Sequence, residues 1–244
     1  MRRLAIFTSL VTAGLAACGS SNPGGAADSA TGDGNGGIDA SGDAVLGPDG
    51  TPVDTRYNPW KVGSVWSYKL TDPNGQIPDA LNKKTTIMNE VDVGGVHAGT
   101  MAFLVHVEQL QGSKDVYETF NGDLDVRYKT IHYGQNGAMT STDVDTPYRL
   151  KLDESTAHVT TGATFSQSFT ETTTGQGAGT SNKTENWQVI SDSEQVTVIA
   201  GTFTTLHVRR TGSKPQDYWY ARGVGKVKET GSGSQDEELM SYTP

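Results

Sequence analysis

The chain of 244 residues has one cysteine, Cys18, and few basic residues. Without a second cysteine the protein can form no internal disulfide, so its stability must come from an ordinary buried core. Its 19 Lys and Arg residues stand against 28 Asp and Glu residues, which gives a formal net charge of −9. This balance argues against nucleic acid as a partner and against electrostatic docking on anionic lipid, because both call for basic patches.

The chain also lacks an apolar run of the length that a transmembrane helix needs, which is about 20 residues. The uncharged run at residues 4–17 is shorter than this and is interrupted by hydroxyl side chains and a glycine. Arg2 and Arg3 precede the run and small residues end it, which is the pattern of a secretory signal peptide. We therefore predict that residues 1–17 direct export and are removed, which leaves 17 basic residues against 28 acidic ones.

The end of this signal resembles the lipobox of bacterial lipoproteins. Leu15, Ala16 and Ala17 stand directly before Cys18. In that family signal peptidase cuts before the cysteine, and the cysteine sulfur receives a diacylglycerol. The resemblance implies that Cys18 is lipidated and that its acyl chains make the membrane the first partner of the protein. Gly19 after the cysteine favours the outer membrane in the enterobacterial sorting rule, with the protein on its periplasmic side or on the cell surface.

Residues 18–55 differ in composition from the rest of the chain. After Cys18 this segment holds six aspartates, no Lys, Arg or aromatic residue, and abundant Gly, Ala and Ser. Such a segment cannot bury enough apolar surface to offset its ordering entropy, so we predict a disordered acidic tether. It would hold the next domain on the order of 30 Å from the lipid. Residues 33–39 faintly resemble a calcium loop, but they lack its closing glutamate, which favours a simple spacer.

Residues 56–244 have the pattern of a single all-β domain. No window shows a helical stripe, whereas alternating runs rich in Val, Thr, Tyr and Phe recur between Gly, Asn and Asp clusters. Asn121-Gly122 predicts a hairpin turn. We expect about twelve antiparallel strands, and the clearest are 64–71, 85–93, 100–110, 115–120, 123–133, 148–152, 164–172, 186–191, 195–199, 202–210, 217–221 and 225–230, with a possible last edge strand at 237–242.

The domain resembles itself at an offset of about 100 residues. The motif at residues 63–67, GSVWS, is echoed by GATFS at residues 162–166, and three further pairs of segments keep the same order. We interpret this similarity as an internal duplication with halves at about 60–133 and 160–244. Twelve strands in an open flat sheet would leave exposed edges, so we predict either a closed barrel or a strongly curved sheet, each with a concave side.

The most distinctive motifs lie between residues 195 and 229. The segments GTF at 201–203, YWYA at 218–221 and GVGKVK at 223–228 resemble a pattern of uncharacterised secreted β-domains of Gram-negative bacteria, including many lipoproteins. The stretch NPWKVGSVWSY at 58–68 is similar to the usual opening of those domains. The resemblance implies a fold and a compartment but no catalytic residues. The glycines favour turns or bulges, because a phosphate-binding loop would need the Walker spacing and a following helix.

The sequence contains no catalytic or metal-binding signature. The five histidines are scattered without an HExxH motif, and no GxSxG motif is present. We predict no cofactor, no metal and no enzymatic activity. His106 and His207 are expected at the surface or its boundary. The basic residues near the end of the chain are expected to form a solvated strand face opposed by residues 236–238, and they are Arg209, Arg210, Lys214, Arg222, Lys226 and Lys228.

Aromatic side chains are the remaining candidates for a ligand-binding surface, although core packing is their usual role. The candidates are Trp60, Trp66, Tyr68 and Trp219. The first hypothesis is a noncatalytic, tethered module that binds an envelope protein, a polysaccharide or another envelope component. The second is a carrier of a lipid or apolar ligand in a concave cavity, and the third is a hydrolase. A dry apolar cavity would favour the carrier, and a His within reach of an Asp and a Ser would favour the hydrolase.

Overall fold

A computed structural model describes residues 55–72, 82–212, 214–231 and 235–244. The predicted signal peptide, the lipidation site Cys18 and the tether up to residue 54 lie outside these residues. The part of the chain that the structure describes includes no helix able to cross a membrane. Its elements are twelve strands: β1 Val65–Thr71, β2 Asn82–Gly94, β3 His97–Gln109, β4 Gly112–Asn121, β5 Leu124–Tyr133, β6 Met139–Asp153, β7 Thr164–Gly175, β8 Gly179–Val198, β9 Gly201–Thr211, β10 Gln216–Ala221, β11 Gly225–Gly231 and β12 Asp236–Thr243.

The twelve strands form a closed antiparallel barrel, which confirms the closed form of the predicted all-β fold. Every strand pairs with its neighbours in sequence, and β1 pairs with β12 from Val65 and Thr243 to Thr71 and Asp236. The last strand was expected as an edge, and that expectation is wrong. It closes the barrel because its backbone bonds to both β1 and β11 leave neither side unpaired.

Two strands are longer than the alternation pattern predicted. The prediction placed one strand at 148–152, whereas β6 begins at Met139, and it divided β8 into two strands at Ser191. The polar residues at 191–194 instead form bulges within one continuous strand. A bulge disturbs the two-residue alternation of the sequence without ending the strand. The sequence pattern therefore indicated a break between two strands where the structure has one paired strand.

Matched hydrogen bonds occur in the two halves of the barrel. The amide of Gly63 donates to the carbonyl of Ile87 at 2.8 Å, and the amide of Gly162 donates to the carbonyl of Val189 at 2.9 Å. In each half a bulge then follows, after Ile87 in the β2–β3 pair and after Val189 in the β8–β9 pair. These features recur at the spacing of the sequence similarity, which favours the interpretation as a duplication.

The barrel packs its apolar side chains in two clusters. One is centred on Trp66, Ile87 and Leu239, and the other on Val126 and Leu206, all of them less than 5 % exposed. Successive residues of a strand point to opposite sides of the sheet, so each strand contributes to the barrel interior only at every second position. The remaining inward positions carry the side chains of the candidate site.

Gly225 fixes the position of Trp66 next to that site. Its φ of 104° lies in the region that favours glycine, and an added Cβ would stand 3.1 Å from Trp66 Nε1. The indole N–H donates to the carbonyl of Val224 at 2.6 Å, so the ring packs directly against this turn. The structural role predicted for the GVGKVK glycines is confirmed at this position.

Candidate ligand-binding site in the barrel lumen

The barrel encloses a cavity of about 310 Å³. Ten of the twelve strands contribute to its lining, so the cavity is the lumen of the barrel. Pockets of small-molecule sites typically measure about 300–1,000 Å³. The lumen is therefore large enough for a small ligand and is the candidate functional site.

Charged side chains dominate this lumen, although the chain as a whole is acidic. Four of the lining residues are acidic: Glu118, Asp125, Glu229 and Glu237. Seven are basic: Lys83, Lys114, Arg127, Arg149, Lys151, Arg210 and Lys226. Buried charges are stable only when partners or a ligand compensate them, so the pairing of these groups decides what the lumen can bind.

Glu237 is the centre of the tightest ionic network. Lys83 Nζ donates to both of its carboxylate oxygens at 2.8 Å, and Lys226 Nζ donates to one of them at 2.8 Å and also to Glu229. Burial opposes the charge of Glu237, but Lys226 and Lys83 outweigh it and hold the pKa of this carboxyl well below its usual range. The carboxylate thus neutralises part of the charge of two buried lysines.

Three arginines form ion pairs with two carboxylates. Arg127 donates to Glu118 through Nε at 2.9 Å and through a terminal nitrogen at 2.7 Å. Glu185 accepts from Arg149 at 2.6 Å and from Arg210 at 2.9 Å. Burial opposes the charge of Glu185, but its two arginines, Arg149 foremost, hold the pKa of this carboxyl below its usual value.

Lys114 and Lys151 differ from the other lumen cations. Neither ammonium group has a hydrogen bond or an ion pair with any other residue that the structure describes. Burial, together with Lys83 and Arg127, lowers the pKa of Lys114 to about 7. Burial and the neighbouring Arg127 lower the pKa of Lys151 to about 7 as well. The lumen therefore holds two amino groups that an anionic partner would convert to stable cations.

Asp125 is a buried carboxyl with one unused oxygen. Asn58 donates to its Oδ2 at 2.5 Å, while Oδ1 has no hydrogen-bond partner among the described residues. The side chain is 1 % exposed, and burial, with the nearby Glu118, raises its pKa well above the usual value. The raised pKa favours the protonated form of this carboxyl, which can donate a hydrogen bond to a ligand.

The structure brings three of the four candidate aromatic residues to the lumen. Trp60, Trp66 and Tyr68 line the cavity, and Trp219 does not. Trp219 stacks instead on His207, with ring centroids 4.2 Å apart. Its strand neighbours Tyr218 and Tyr220 line the lumen, since adjacent residues point to opposite sides of a strand.

The prediction of one solvated basic face near the end of the chain is wrong. Arg210 and Lys226 line the lumen, whereas Arg209 bonds to Asp217 and Lys228 lies 5.4 Å from the ring centre of Trp219. Arg209 and Arg210 are adjacent in one strand and cannot share a face. The two-residue alternation of a strand could have shown this from the sequence, because adjacent basic residues of one strand lie on opposite faces of the sheet.

The other cations of the lumen were missed because they alternate with buried apolar residues. Arg149 and Lys151 line the cavity, while Leu150 and Leu152 between and after them are buried and do not line it. Sequence reasoning assigns the apolar face of a strand to the core. In β6 of this barrel the apolar residues are buried away from the lumen, and the charged residues between them line it.

The histidines hold structural positions beside acids. Four of them are paired with carboxylates: His106 with Asp115, His132 with Asp143, His158 with Asp153, and His207 with Glu194 and Asp217. His207 is 6 % exposed, so its expected surface position is wrong. It is buried because acids from β8 and β10 enclose both ring nitrogens. Within the described ranges no group of three or more His, Cys, Asp and Glu side chains could hold a metal ion.

His158 has both a serine and an aspartate nearby, which was the stated sign of a hydrolase. Asp153 Oδ2 lies 2.7 Å from its Nδ1, and Ser155 Oγ lies 3.4 Å from the same nitrogen. In a catalytic triad the acid and the nucleophile use opposite ring nitrogens. The arrangement at His158 is therefore a local turn that holds the ring, and it does not have triad geometry.

No protein-family model matches the chain, and no curated protein matches it. Among solved structures the chain is similar to a crystal structure, at 2.70 Å resolution, of a protein described as a putative lipoprotein from Parabacteroides distasonis ATCC 8503. The two sequences are 12 % identical, the match covers 78 % of this chain and 99 % of that one, and the TM-score is 0.40. A similarity this low shows neither a shared family nor a shared function.

Proposed function

We propose that this protein is a noncatalytic envelope lipoprotein whose barrel binds a small polar molecule in its lumen. The observation that carries the proposal is the cavity of about 310 Å³, whose lining includes charged side chains from seven strands. A protein that needed the barrel only as a scaffold could fill it with apolar side chains at lower energetic cost. Charged groups around a cavity instead provide hydrogen bonds that orient a polar ligand.

The lining argues against the alternative of a lipid or apolar-ligand carrier. An apolar ligand would lie against charged side chains and could give no hydrogen bond to those without a partner, Lys114 and Lys151 among them. Leaving a buried polar group unpaired costs about 1–3 kcal/mol, and more when the group is charged. A ligand with several hydrogen-bonding groups avoids this cost.

The noncatalytic role is supported by how the reactive side chains are held. Four of the five histidines are engaged with carboxylates, and His97 Nε2 contacts the backbone oxygen of Asp145 at 2.8 Å. The one local group of His, Asp and Ser fails the geometry of a triad. A lumen that only binds its ligand needs no catalytic geometry, whereas a hydrolase would need one.

The lipobox-like sequence at Cys18 supports attachment to the outer membrane through lipid. In this proposal the acyl chains hold the protein on the membrane, the acidic segment acts as a leash, and the barrel samples small molecules of the periplasm or the cell surface. The ligand site then needs no contact with lipid.

Replacing Thr85 with Phe should abolish binding in the lumen. Thr85 lines the cavity beside Trp66 and Val107, so a phenyl ring there fills space that a ligand would use. We expect the detergent-purified full-length protein, incubated with a polar small-molecule extract of the producing cells, to retain one small molecule in native mass spectrometry. The Thr85→Phe variant should retain none.

The matched control is Thr204→Phe, which adds the same ring at an exposed position of β9. This variant should bind as the parent protein does. The proposal fails if the parent protein retains no small molecule, or if Thr85→Phe and Thr204→Phe retain equal amounts.

A further inference from the structure

We propose that the ligand of the lumen is a small anion with carboxylate or phosphate groups, held by Lys114 and Lys151. This inference rests on the proposed function and specifies its ligand class. It follows from the charge balance of the lumen, from the positions of the two lysines, and from a basic route that leads to them.

The charge balance leaves the lumen with surplus positive charge. Each of its carboxylates is already engaged with a cation: Glu118 with Arg127, Glu237 with Lys83 and Lys226, Glu229 with Lys226, and Glu185, just outside the lining, with Arg149 and Arg210. Asp125 is paired only with the neutral Asn58, and burial raises its pKa, which favours its uncharged form. Lys114 and Lys151 thus have no carboxylate left to neutralise them, and an anionic ligand supplies the missing charge.

The two lysines lie on strands that flank a common arginine. Lys114 is on β4 and Lys151 is on β6, while Arg127 is on β5 between them. Arg127 and Glu118 interact electrostatically with both lysines. Lys114 pairs with His132, five residues along β5 from Arg127, whereas Lys151 lies next to the pair of Leu150 and Val126, so the two lysines approach Arg127 from opposite directions along the strands. These ammonium and guanidinium groups form a cationic wall, and both kinds of group bind carboxylate or phosphate oxygens.

The protonated Asp125 adds a donor to this wall. It lies on β5 two residues from Arg127, lines the same cavity, and leaves Oδ1 unpaired. A carboxylic acid donates to an anionic oxygen, whereas it would repel that oxygen if it were ionised. The state in which burial holds Asp125 therefore suits an anion and does not suit a metal cation.

Basic side chains also lead from the outside of the barrel to the lumen. A second cavity, of about 320 Å³, shares Arg149 and Arg210 with the lumen and includes the exposed Lys183 and Lys214. Its lining has four basic residues against two acidic ones, Glu171 and Glu185, so it keeps an excess of positive charge although Lys183 pairs with Glu171 and both arginines pair with Glu185. Positive charges along such a route raise the local concentration of an anion. The second cavity is thus less repulsive to anions than the net charge of the chain would suggest.

Calorimetric titration of the full-length protein in detergent tests the inference with succinate, inorganic phosphate and succinamide. Succinamide has the carbon skeleton of succinate without its charges. We expect succinate, phosphate or both to bind with a stoichiometry of one, and succinamide to bind at least about tenfold more weakly than the better anion. The comparison of succinate with phosphate shows which anionic group the lumen prefers.

Lys114→Gln and Lys151→Gln should each weaken binding of that anion by about 10- to 100-fold, because each removes a charged hydrogen-bond donor. Lys84→Gln is the matched control, since Lys84 is exposed on β2 and its loss changes the net charge equally. The control should bind as the parent does. Both lumen variants should keep or raise the thermal unfolding midpoint, since each removes a half-buried ammonium group that has no partner among the described residues.

The inference is overturned if neither anion binds, if succinamide binds as tightly as succinate, or if all three variants bind equally. Each of these outcomes leaves the proposed function to its own test. A small molecule that is retained by the parent protein and lost from Thr85→Phe would still show that the lumen binds a ligand, which then must be uncharged or cationic.

Discussion

Replacing Glu237 with Gln is expected to lower the free energy of unfolding by about 3–5 kcal/mol, as is typical when one partner of a buried ion pair is removed. Glu237 accepts both hydrogen bonds of Lys83 and one of Lys226, all at 2.8 Å. An amide keeps the shape of the side chain but cannot compensate two buried cations. Urea unfolding at neutral pH measures the change.

Glu238→Gln provides the control for this result. Glu238 is the next residue of β12 and stands opposite Lys69 and Lys228, where it is partly exposed. A surface pair contributes about 0–1 kcal/mol, so this variant should unfold close to the parent. Equal stabilities of the two variants would contradict the assigned role of Glu237.

The difference in stability between the parent protein and Glu237→Gln is expected to depend on pH. Lys226 and Lys83 hold the pKa of Glu237 below the value of the unfolded chain. Its contribution to stability is therefore present above the unfolded pKa and is lost as the pH falls through the folded pKa. The difference between the parent and Glu237→Gln should be largest at neutral pH and should shrink below about pH 4.

Replacing Cys18 with Ala should move the protein from the membrane fraction to the soluble periplasmic fraction. Without the cysteine sulfur no diacylglycerol can be attached, and the formal net charge of −9 disfavours electrostatic binding to anionic lipid. Cell fractionation followed by immunoblotting measures the change, which we expect to be nearly complete.

Ser20→Ala is the matched control for this experiment because it alters a small residue two positions after the lipidation site. It should remain in the membrane fraction. A Cys18→Ala protein that stays with the membrane would contradict lipid anchoring and would require another mode of attachment.

The fold was predictable from the sequence because its determinants are local. Alternation over five to ten residues identifies strands, and Gly122, at a φ of 62°, forms the predicted turn between β4 and β5. The need to cover strand edges predicted either a closed barrel or a strongly curved sheet, and the structure has the closed barrel. The residues at 191–194 were misjudged because a polar bulge in a paired strand looks like a turn.

The site was only partly predictable because alternation separates the two faces of a strand without saying which one is inside. Trp66 and Tyr68 were candidates, and both line the lumen. Lys114 and Lys151 were not, since sequence reasoning places lysines in solvent. Their burial depends on strands that are distant in the sequence, which close the barrel around them.

Lysines without partners are expected where a binding site lowers the stability of the folded protein. Burying a charge without a partner destabilises a fold, and such groups are common at functional sites. Here the network around Glu237 compensates Lys83 and Lys226, while Lys114 and Lys151 nearby have no hydrogen-bond or ion-pair partner among the described residues. A ligand that pairs with them would also stabilise the folded barrel.

The central claim is that the lumen holds surplus positive charge for an anion. Nuclear magnetic resonance of the lysine side chains tests this claim most directly. We predict two lysine amino groups with a pKa of about 7, assigned to Lys114 and Lys151 by their Gln variants. Arg127 and Glu118 face both, with Lys83 and Glu237 near the first and Arg149 and Lys226 near the second. Saturating succinate or phosphate should raise both pKa values. Two lysines that titrate near 10.5 with and without these anions, like ordinary surface lysines, would contradict the account.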